Sequence, residues 1–433
     1  MCLLLAFAVP SPGTFARQKV FSASSKPLVP ASSEPLQSAF REAETLSAAN
    51  RLPEALAAYQ NILTAHPHDE KAALGLAELF RRLHNDQQAR QILDQARSTH
   101  PRSPAISKSL GVLEMDARAY DPAIANFRKA LAFSPADIGC RNLLATAYIA
   151  KGDPASARAQ LDQVLRRDPA NQLARLLRAQ IYVDARENEN ALADAESVVA
   201  THPDYWPGRL LLAKILVRDN RCARAAEILQ AGASPGAADA QSLYIVANAY
   251  KCAGQLERAR SAREAFEEAS KQERTLRENG IQSLHLVEQA NAMALQNNFN
   301  GALDLLRQSL EKNPANASAY SQQAKIYLSM QQQEKAREAI AAALRIQPYQ
   351  PDFLYVAGVI AEARGELDQA LSHLNVVAQI NPGEADAYFE MGKIWLKKNE
   401  RRKARAALQK AVSLAPGDEE YARALHEASE EPR

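Results

Sequence analysis

YDPAIANFRKALAFSP, residues 120–135, predicts one amphipathic helix followed by a stop. An Asp-Pro pair favours the start of the helix, and Pro135 ends it because proline cannot continue a helix. Ala123, Phe127 and Leu131 recur at four-residue spacing and form one apolar face. A helix of this length cannot bury such a face alone, so the stretch predicts a partner helix.

The same pattern returns along the chain with a period of 34 residues. Prolines recur at this spacing in two series, Pro67, Pro101, Pro135, Pro169 and Pro203, then Pro314, Pro348, Pro382 and Pro416. Alanines recur at a second fixed position, Ala55, Ala89, Ala123, Ala157, Ala191, Ala225, Ala259, Ala302, Ala336, Ala370 and Ala404. Twelve residues before each alanine lies another small residue, Ala43, Ala77, Gly111, Ala145, Ala179, Ala213, Ala247, Ala290, Ala324, Gly358 or Gly392. Two antiparallel helices approach closely only where their side chains are small, so each pair of small residues predicts a helix crossing.

This pattern resembles the tetratricopeptide repeat family, whose units are 34-residue helix–turn–helix pairs. The resemblance covers residues 36 to about 417, as eleven units. It implies an all-α fold, a right-handed α-solenoid of antiparallel helix pairs. The stretch EEYARALHEAS, residues 419–429, is typical of a capping helix with a polar outer face, which a solenoid needs for solubility.

The period slips once, because Ala259 and Ala302 are 43 residues apart, nine more than one repeat. The stretch REAFEEASKQERTLRENG, residues 263–280, has high helix propensity and ends at Gly280, which is a favourable C-terminal cap. We therefore expect a lengthened second helix in unit seven that projects from the array. Two alternatives stay open for it: an insertion that only bends the array, or a docking projection or hinge between two subarrays.

The sequence predicts five segments from these boundaries. They are a signal-like or disordered segment at 1–35, repeats 1–7 at 36–273, an insertion end and linker at 274–282, repeats 8–11 at 283–417, and a capping helix with a tail at 418–433.

The N-terminal segment allows several locations for the protein. Residues 2–9, CLLLAFAV, form an apolar run too short to span a bilayer, and no acidic residue occurs before Glu34. A signal peptide would have such a run and a small-residue cleavage site, near Ala8 or after Ala16, and would export the protein to the periplasm or outside the cell. The alternatives are a disordered tail, which leaves the protein cytoplasmic, and an organellar transit peptide.

Composition and motifs argue against several classes of function. Lys and Arg number 52 against 50 Asp and Glu, so the net charge of +2 gives no general attraction to nucleic acid. Ser234 lies in a G-x-S-x-G match at 232–236, but a nucleophile elbow needs a strand before it and this match follows a predicted helix. We expect no enzyme activity, no cofactor and no metal site.

Two of the four cysteines are candidates for a disulfide. Cys222 opens the second helix of unit six and Cys252 closes the first helix of unit seven, and these helix ends share one rim of the array. The two thiols would pair in an exported protein and stay free in a reducing compartment. Cys140 has no evident partner.

The resemblance also implies a ligand site, because first helices line the concave groove of such arrays and bind peptides or protein segments there. One groove-facing position follows each small residue of units four to nine and is occupied by Thr146, Gln180, Lys214, Asn248, Asn291 and Lys325. Amides at this spacing can bond to the backbone of an extended peptide. Arg218 and Lys251 add positive charge, which favours an acidic segment or a C-terminal carboxylate. Tyr244, with Tyr355 and Phe389, would supply apolar contact; the alternative is a solvated wall with no ligand.

The sequence therefore predicts a non-catalytic scaffold that binds a peptide or protein segment in its groove. Two other functions remain open. One is a structural subunit of an assembly such as an envelope-biogenesis or secretion complex, and the other is an accessory arm that presents substrates to a separate enzyme. The scaffold would depend on the groove, whereas an assembly subunit would depend on the convex face and the projection.

Overall fold

The computed structural model describes residues 33–230 and 239–429, and within these ranges it contains helices and no strands. The predicted all-α solenoid is confirmed. The first helices of units one to seven are α1 Ser33–Ala48, α3 Glu70–Arg82, α5 Pro104–Asp116, α7 Ile138–Lys151, α9 Gln172–Asp184, α11 Trp206–Arg218 and α13 Ala240–Cys252. The second helices of units one to six are α2 Leu52–Ala65, α4 Asp86–Thr99, α6 Tyr120–Phe133, α8 Pro154–Arg167, α10 Asn188–Thr201 and α12 Cys222–Gln230.

A long helix, α14 Leu256–Leu295, joins these units to the rest of the array. The remaining helices are α15 Phe299–Lys312, α16 Ala317–Ser329, α17 Gln333–Ile346, α18 Pro351–Ala363, α19 Leu367–Ile380, α20 Ala385–Lys397, α21 Arg401–Leu414 and α22 Glu419–Ser429. Each helix packs on its neighbours in sequence, so the core is a continuous layer between successive pairs rather than one central cluster.

The small residues lie where the two helices of a unit cross. A Cβ atom added to Gly111 would lie 2.5 Å from the ring of Phe127, and one added to Gly392 would lie 2.5 Å from Leu408. Phe127, from the stretch quoted at the outset, is fully buried in α6. Small residues therefore let a large residue of the second helix sit directly against the backbone of the first.

The turn between the two helices of each unit has one residue in the left-handed conformation. These residues also recur every 34 positions within each subarray, and they are Asn50, His84, Arg118, Gly152, Arg186, Asn220 and Gly254, then Asn297, Gln331, Gly365 and Asn399. At Gly152, for example, the next amide, of Asp153, donates to the carbonyl of Tyr148 at 2.8 Å. This bond is that of a Schellman motif, which satisfies a carbonyl at the helix end and reverses the chain.

Most first helices begin with a side chain that caps the free amides. The caps are Asp69, Ser103, Asp137, Asn171, Asp239 and Asn316, and each accepts a hydrogen bond from the backbone N–H three residues later. A side-chain acceptor there satisfies an amide that has no partner within the helix.

The interruption differs from the prediction, because α14 is one continuous helix of 40 residues. It combines the second helix of unit seven with the first helix of unit eight. The linker expected at 274–282 is helical, and Gly280 lies inside the helix and does not cap it. Despite its length α14 is too polar to cross a bilayer, and none of the other described helices is both long and apolar enough to do so.

The two ends of the array contact each other far from α14. Helix α19 packs on α2, and residues of units one to three share one hydrophobic cluster with residues of units nine to eleven. The Tyr349 hydroxyl donates to the carbonyl of Asn50 at 2.8 Å, and Asn85 Nδ2 donates to the carbonyl of Ile380 at 2.7 Å. We call this contact the closure. Together with α14 it makes the array a closed loop of helices.

Candidate protein-binding groove

The predicted groove face presents exposed lysines on three helices. Lys214 on α11, Lys251 on α13 and Lys325 on α16 are all exposed. Within the described ranges none of the three has a carboxylate partner, whereas Lys71, for example, lies 2.7 Å from Glu44. An exposed lysine with no internal partner is free to pair with a carboxylate of a ligand.

Three of the predicted residues already bond within the array. The Thr146 hydroxyl donates to the carbonyl of Asn142 at 3.0 Å, and Gln180 donates to Asp184 in the same helix at 2.8 Å. Arg218 donates to the carbonyl of Val183 at 2.7 Å and so caps the end of α9. These side chains therefore serve local structure in the free protein, and a ligand would have to replace these bonds.

The amides of Asn248 and Asn291 make no hydrogen bond in the described part of the chain, and both side chains are half-buried. Tyr244, one turn before Asn248, is 53% exposed, and its ring centroid lies 5.6 Å from that of Phe266. Asn248, Tyr244 and Lys251 thus place an amide, an aromatic ring and a cation on neighbouring positions of α13.

The predicted row of groove residues is not continuous. The amide of Ala240, at the start of α13, donates to Glu273 Oε1 at 3.2 Å, so α13 lies beside the N-terminal part of α14. Asn291 lies near the other end of α14, which places it roughly 40 Å along the helix axis from the level of Asn248. The row therefore divides between two subarrays, with Asn291 and Lys325 on the second.

Two of the exposed leucines on α14 lie on the same helix face as Asn291 and were not predicted. Leu284 is 59% exposed and Leu295 is 87% exposed, and they lie seven residues before and four residues after Asn291, on the same helix face. A search of the sequence for apolar residues at these offsets from Asn291 could have found them. They give the second subarray an apolar surface beside the amide.

Tyr355 and Phe389, which were expected to offer apolar contact to a ligand, are less exposed than Tyr244. Phe389 is buried, with its ring centroid 4.7 Å from that of Tyr421 on α22, so the prediction for this residue is wrong. The capping helix covers it. Tyr355 is half-buried, and burial raises the pKa of its hydroxyl.

Cys222 and Cys252 lie side by side, with their Cα atoms 5.2 Å apart and the sulfurs joined. Cys252 directly follows Lys251, so the bridge ties the start of α12 to the end of α13 next to the groove face. Cys140 is buried and unpaired in the described part of the chain.

Other predicted features lie outside the described residues, among them the apolar run at 2–9 and the G-x-S-x-G match around Ser234. Over residues 33–230 and 239–429, no three His, Cys, Asp or Glu side chains cluster in a way that could bind a metal ion.

Comparison with known proteins identifies the repeats. One tetratricopeptide repeat model matches residues 46–111, 114–181 and 361–427, and a second matches 87–138, 176–241, 287–351 and 321–385. Together the matches cover more than half of the chain.

The similar curated proteins share only part of this chain. The BBSome complex member BBS4 homolog of Drosophila melanogaster is 26% identical over 143 residues, which are 30% of this chain and 29% of that protein. Protein O-mannosyl-transferase TMTC1 of Homo sapiens is 32% identical over 95 residues, 21% of this chain and 11% of that protein. The chain thus spans less than a third of either relative.

Two crystal structures of MamA are similar to parts of the fold. They are 22% and 21% identical, with TM-scores of 0.30 and 0.32, over 32% and 34% of this chain and 81% of each MamA chain. The resemblance drawn from the repeat positions is confirmed by the family models: the chain belongs to the tetratricopeptide repeat family, and its role is that of a protein-interaction scaffold.

Proposed function

We propose that this scaffold is non-catalytic and binds an extended, acidic protein segment along the groove face of α11 and α13. The observation that carries the proposal is the pair of exposed lysines, Lys214 and Lys251, which have no carboxylate partner among residues 33–230 and 239–429. Carboxylates of a ligand would supply the missing partners without breaking an ion pair of the free protein.

The side chains around the two lysines suit a peptide. The amide of Asn248 can donate to and accept from a peptide backbone, because it makes no hydrogen bond to any described residue. The exposed ring of Tyr244 offers apolar contact to a side chain of the segment. Charge would thus attract the segment, while the amide and the ring would fix its position.

The test is the selection of binding peptides and the measurement of their affinity. A random peptide library would be selected on the full chain, and the affinity of the selected peptides would be measured for Lys214→Glu/Lys251→Glu. We expect selected peptides rich in Asp and Glu, with affinity for this variant lower by roughly tenfold or more.

A matched control makes the same change of charge elsewhere. Lys271 and Lys312 are exposed on α14 and α15, so Lys271→Glu/Lys312→Glu alters the net charge equally away from the groove face. This variant should bind the selected peptides about as well as wild type at moderate salt. Equal losses in both variants, or selected peptides without acidic residues, would contradict the proposal.

A subunit of a larger assembly is the second candidate, and the middle of α14 favours it. Every residue from 271 to 278 is exposed there, including Leu276, which is 72% exposed. The Drosophila relative is named a member of a complex, whereas the human relative is named a transferase. Assembly through this segment would be lost in Leu276→Glu and retained in the groove variant, as measured by the mass of the native complex. An envelope or secretion complex and a substrate-presenting arm remain predictions of the same kind.

A further inference from the structure

The first turn of α11 lacks the cap that most first helices have. Tyr205 precedes the helix, and its side chain makes no hydrogen bond to the backbone there. The N–H of Gly208 occupies the position that donates to Asp69 or Asn171 in other units. The positive end of the helix dipole is therefore left without an acceptor from its own cap.

Arg209, in the same turn, is buried without a partner. The residue is only 4% exposed, and its Nε has no hydrogen-bond acceptor. Across residues 33–230 and 239–429 its side chain makes neither an ion pair nor a hydrogen bond. Burying a charge is costly unless an opposite charge compensates it, so an anion beside this guanidinium would lower the cost of burying it.

Trp206 provides a second buried donor on the same turn. Its indole Nε1 is also buried without an acceptor. Trp206 and Arg209 are three residues apart and so share one helix face, and side chains of a helix tilt toward its N-terminus. An indole N–H, a guanidinium and a free backbone N–H thus belong to one helix start.

Two carboxylates of the adjacent helix α10, those of Asp194 and Glu196, are already paired. Asp194 accepts hydrogen bonds from Arg175 at 2.9 Å and from Arg178 at 2.7 Å and 2.8 Å. Glu196 lies 2.7 Å from Arg224. Both acids are thus in ion pairs with other arginines, although Glu196 Oε1 accepts no hydrogen bond among the described residues.

We propose that the start of α11 is a binding site for an oxyanion, a carboxylate or phosphate group supplied by a ligand. A guanidinium forms two parallel hydrogen bonds with either group, and a helix N-terminus favours negative charge. Pro207 is exposed and Trp206 is half-buried, so the site lies next to solvent. Arg209 precedes Lys214 by five residues, which places it about 140° around the helix and off the groove face. The site is thus separate from the proposed peptide groove.

The chain contains two tryptophans, so Trp395→Phe leaves Trp206 as the only indole reporter. Inorganic phosphate and glutarate would each be titrated against chloride at matched ionic strength, with Trp206 emission and thermal unfolding as readouts. We expect a saturable change of emission and a rise of the unfolding temperature with at least one anion. Preference for phosphate or for glutarate would distinguish a phosphorylated ligand from a carboxylate ligand.

In the Trp395→Phe protein, Arg209→Met should weaken the affinity for the anion by about tenfold or more. Arg221→Met removes an exposed arginine from the turn between α11 and α12 and should leave the affinity unchanged. If Arg209→Met does not fold, Trp206→Phe tests the indole donor by thermal unfolding alone, with a smaller loss of affinity expected. A response no different from that to chloride, or one that persists in Arg209→Met, would overturn the proposal. An Arg209→Met protein that is more stable than its parent in every buffer, with no anion response in the parent, would also overturn it.

Discussion

At the scale of single residues, the turn inside each unit matters as much as the small crossing positions. Arg118 and Arg186 adopt φ of 58° and 62°, close to the left-handed value that glycine adopts readily at Gly152. The crossing positions could be predicted because they are always Ala or Gly. The turn position could not, because its residue varies among Asn, His, Arg, Gln and Gly, and only the backbone conformation is constant.

Gly152→Ala tests the importance of this conformation. A Cβ at Gly152 would meet no atom within 4 Å, so the substitution adds only backbone strain. We expect the free energy of unfolding to fall by about 1–2 kcal/mol, as measured by denaturant unfolding. Gly280→Ala is the control, since Gly280 is helical and a Cβ there would also meet no atom within 4 Å. It should stabilise by up to about 1 kcal/mol, and equal effects in both variants would contradict this explanation.

At the scale of elements, α14 shows where a local rule fails. Gly280 follows a strongly helical stretch, and glycine at that place favours a helix end. Yet the residues after it belong to the first helix of unit eight, and none of 281–283 is Pro or Gly. A glycine inside a helix costs about 1 kcal/mol, which is less than the cost of ending one helix and nucleating another. The two helices therefore fuse, and the predicted linker does not form.

The bridge between α12 and α13 gives a prediction at this scale. Cys222 and Cys252 are 30 residues apart, and a loop of that size is worth about 3–4 kcal/mol in chain entropy. A reducing agent should therefore lower the unfolding temperature of wild type and leave Cys222→Ser/Cys252→Ser unaffected. In the oxidised, denatured wild type, two of the four cysteines should react with a thiol reagent. Four reactive thiols would show that the bridge is absent.

At the scale of the whole molecule, the closure is the feature that the sequence could not predict. Repeat spacing predicts which helices neighbour each other, but contact between units one and ten depends on small rotations summed over the array. The relative positions of the groove residues could not be predicted for the same reason. Each of these residues lies on a helix, but Asn291 lies on the fused α14 and not on a separate helix, roughly 40 Å along the helix axis from Asn248.

Opening the closure should enlarge the molecule. Tyr349→Phe removes one cross-array hydrogen bond, and Asn85→Asp removes the other while keeping the acceptor that caps α4. We expect the double variant to show a larger radius of gyration by X-ray scattering and faster amide exchange in α2 and α19. The control, Tyr320→Phe/Asn298→Asp, makes the same chemical changes away from the closure. An unchanged radius in the first variant would mean that the apolar contacts alone hold the ends together.

The closure also has a consequence for the lifetime of a complex. In an open solenoid a bound segment can dissociate one contact at a time. The rate of its release then depends on how weak the individual contacts are. A segment that passes through a closed loop and has a folded domain at each of its own ends cannot slip out, however weak its individual contacts. The residence time of the segment then equals the time that the loop takes to open. Mutations at Tyr349 or Asn85 would therefore shorten the lifetime of the complex although neither residue contacts the ligand.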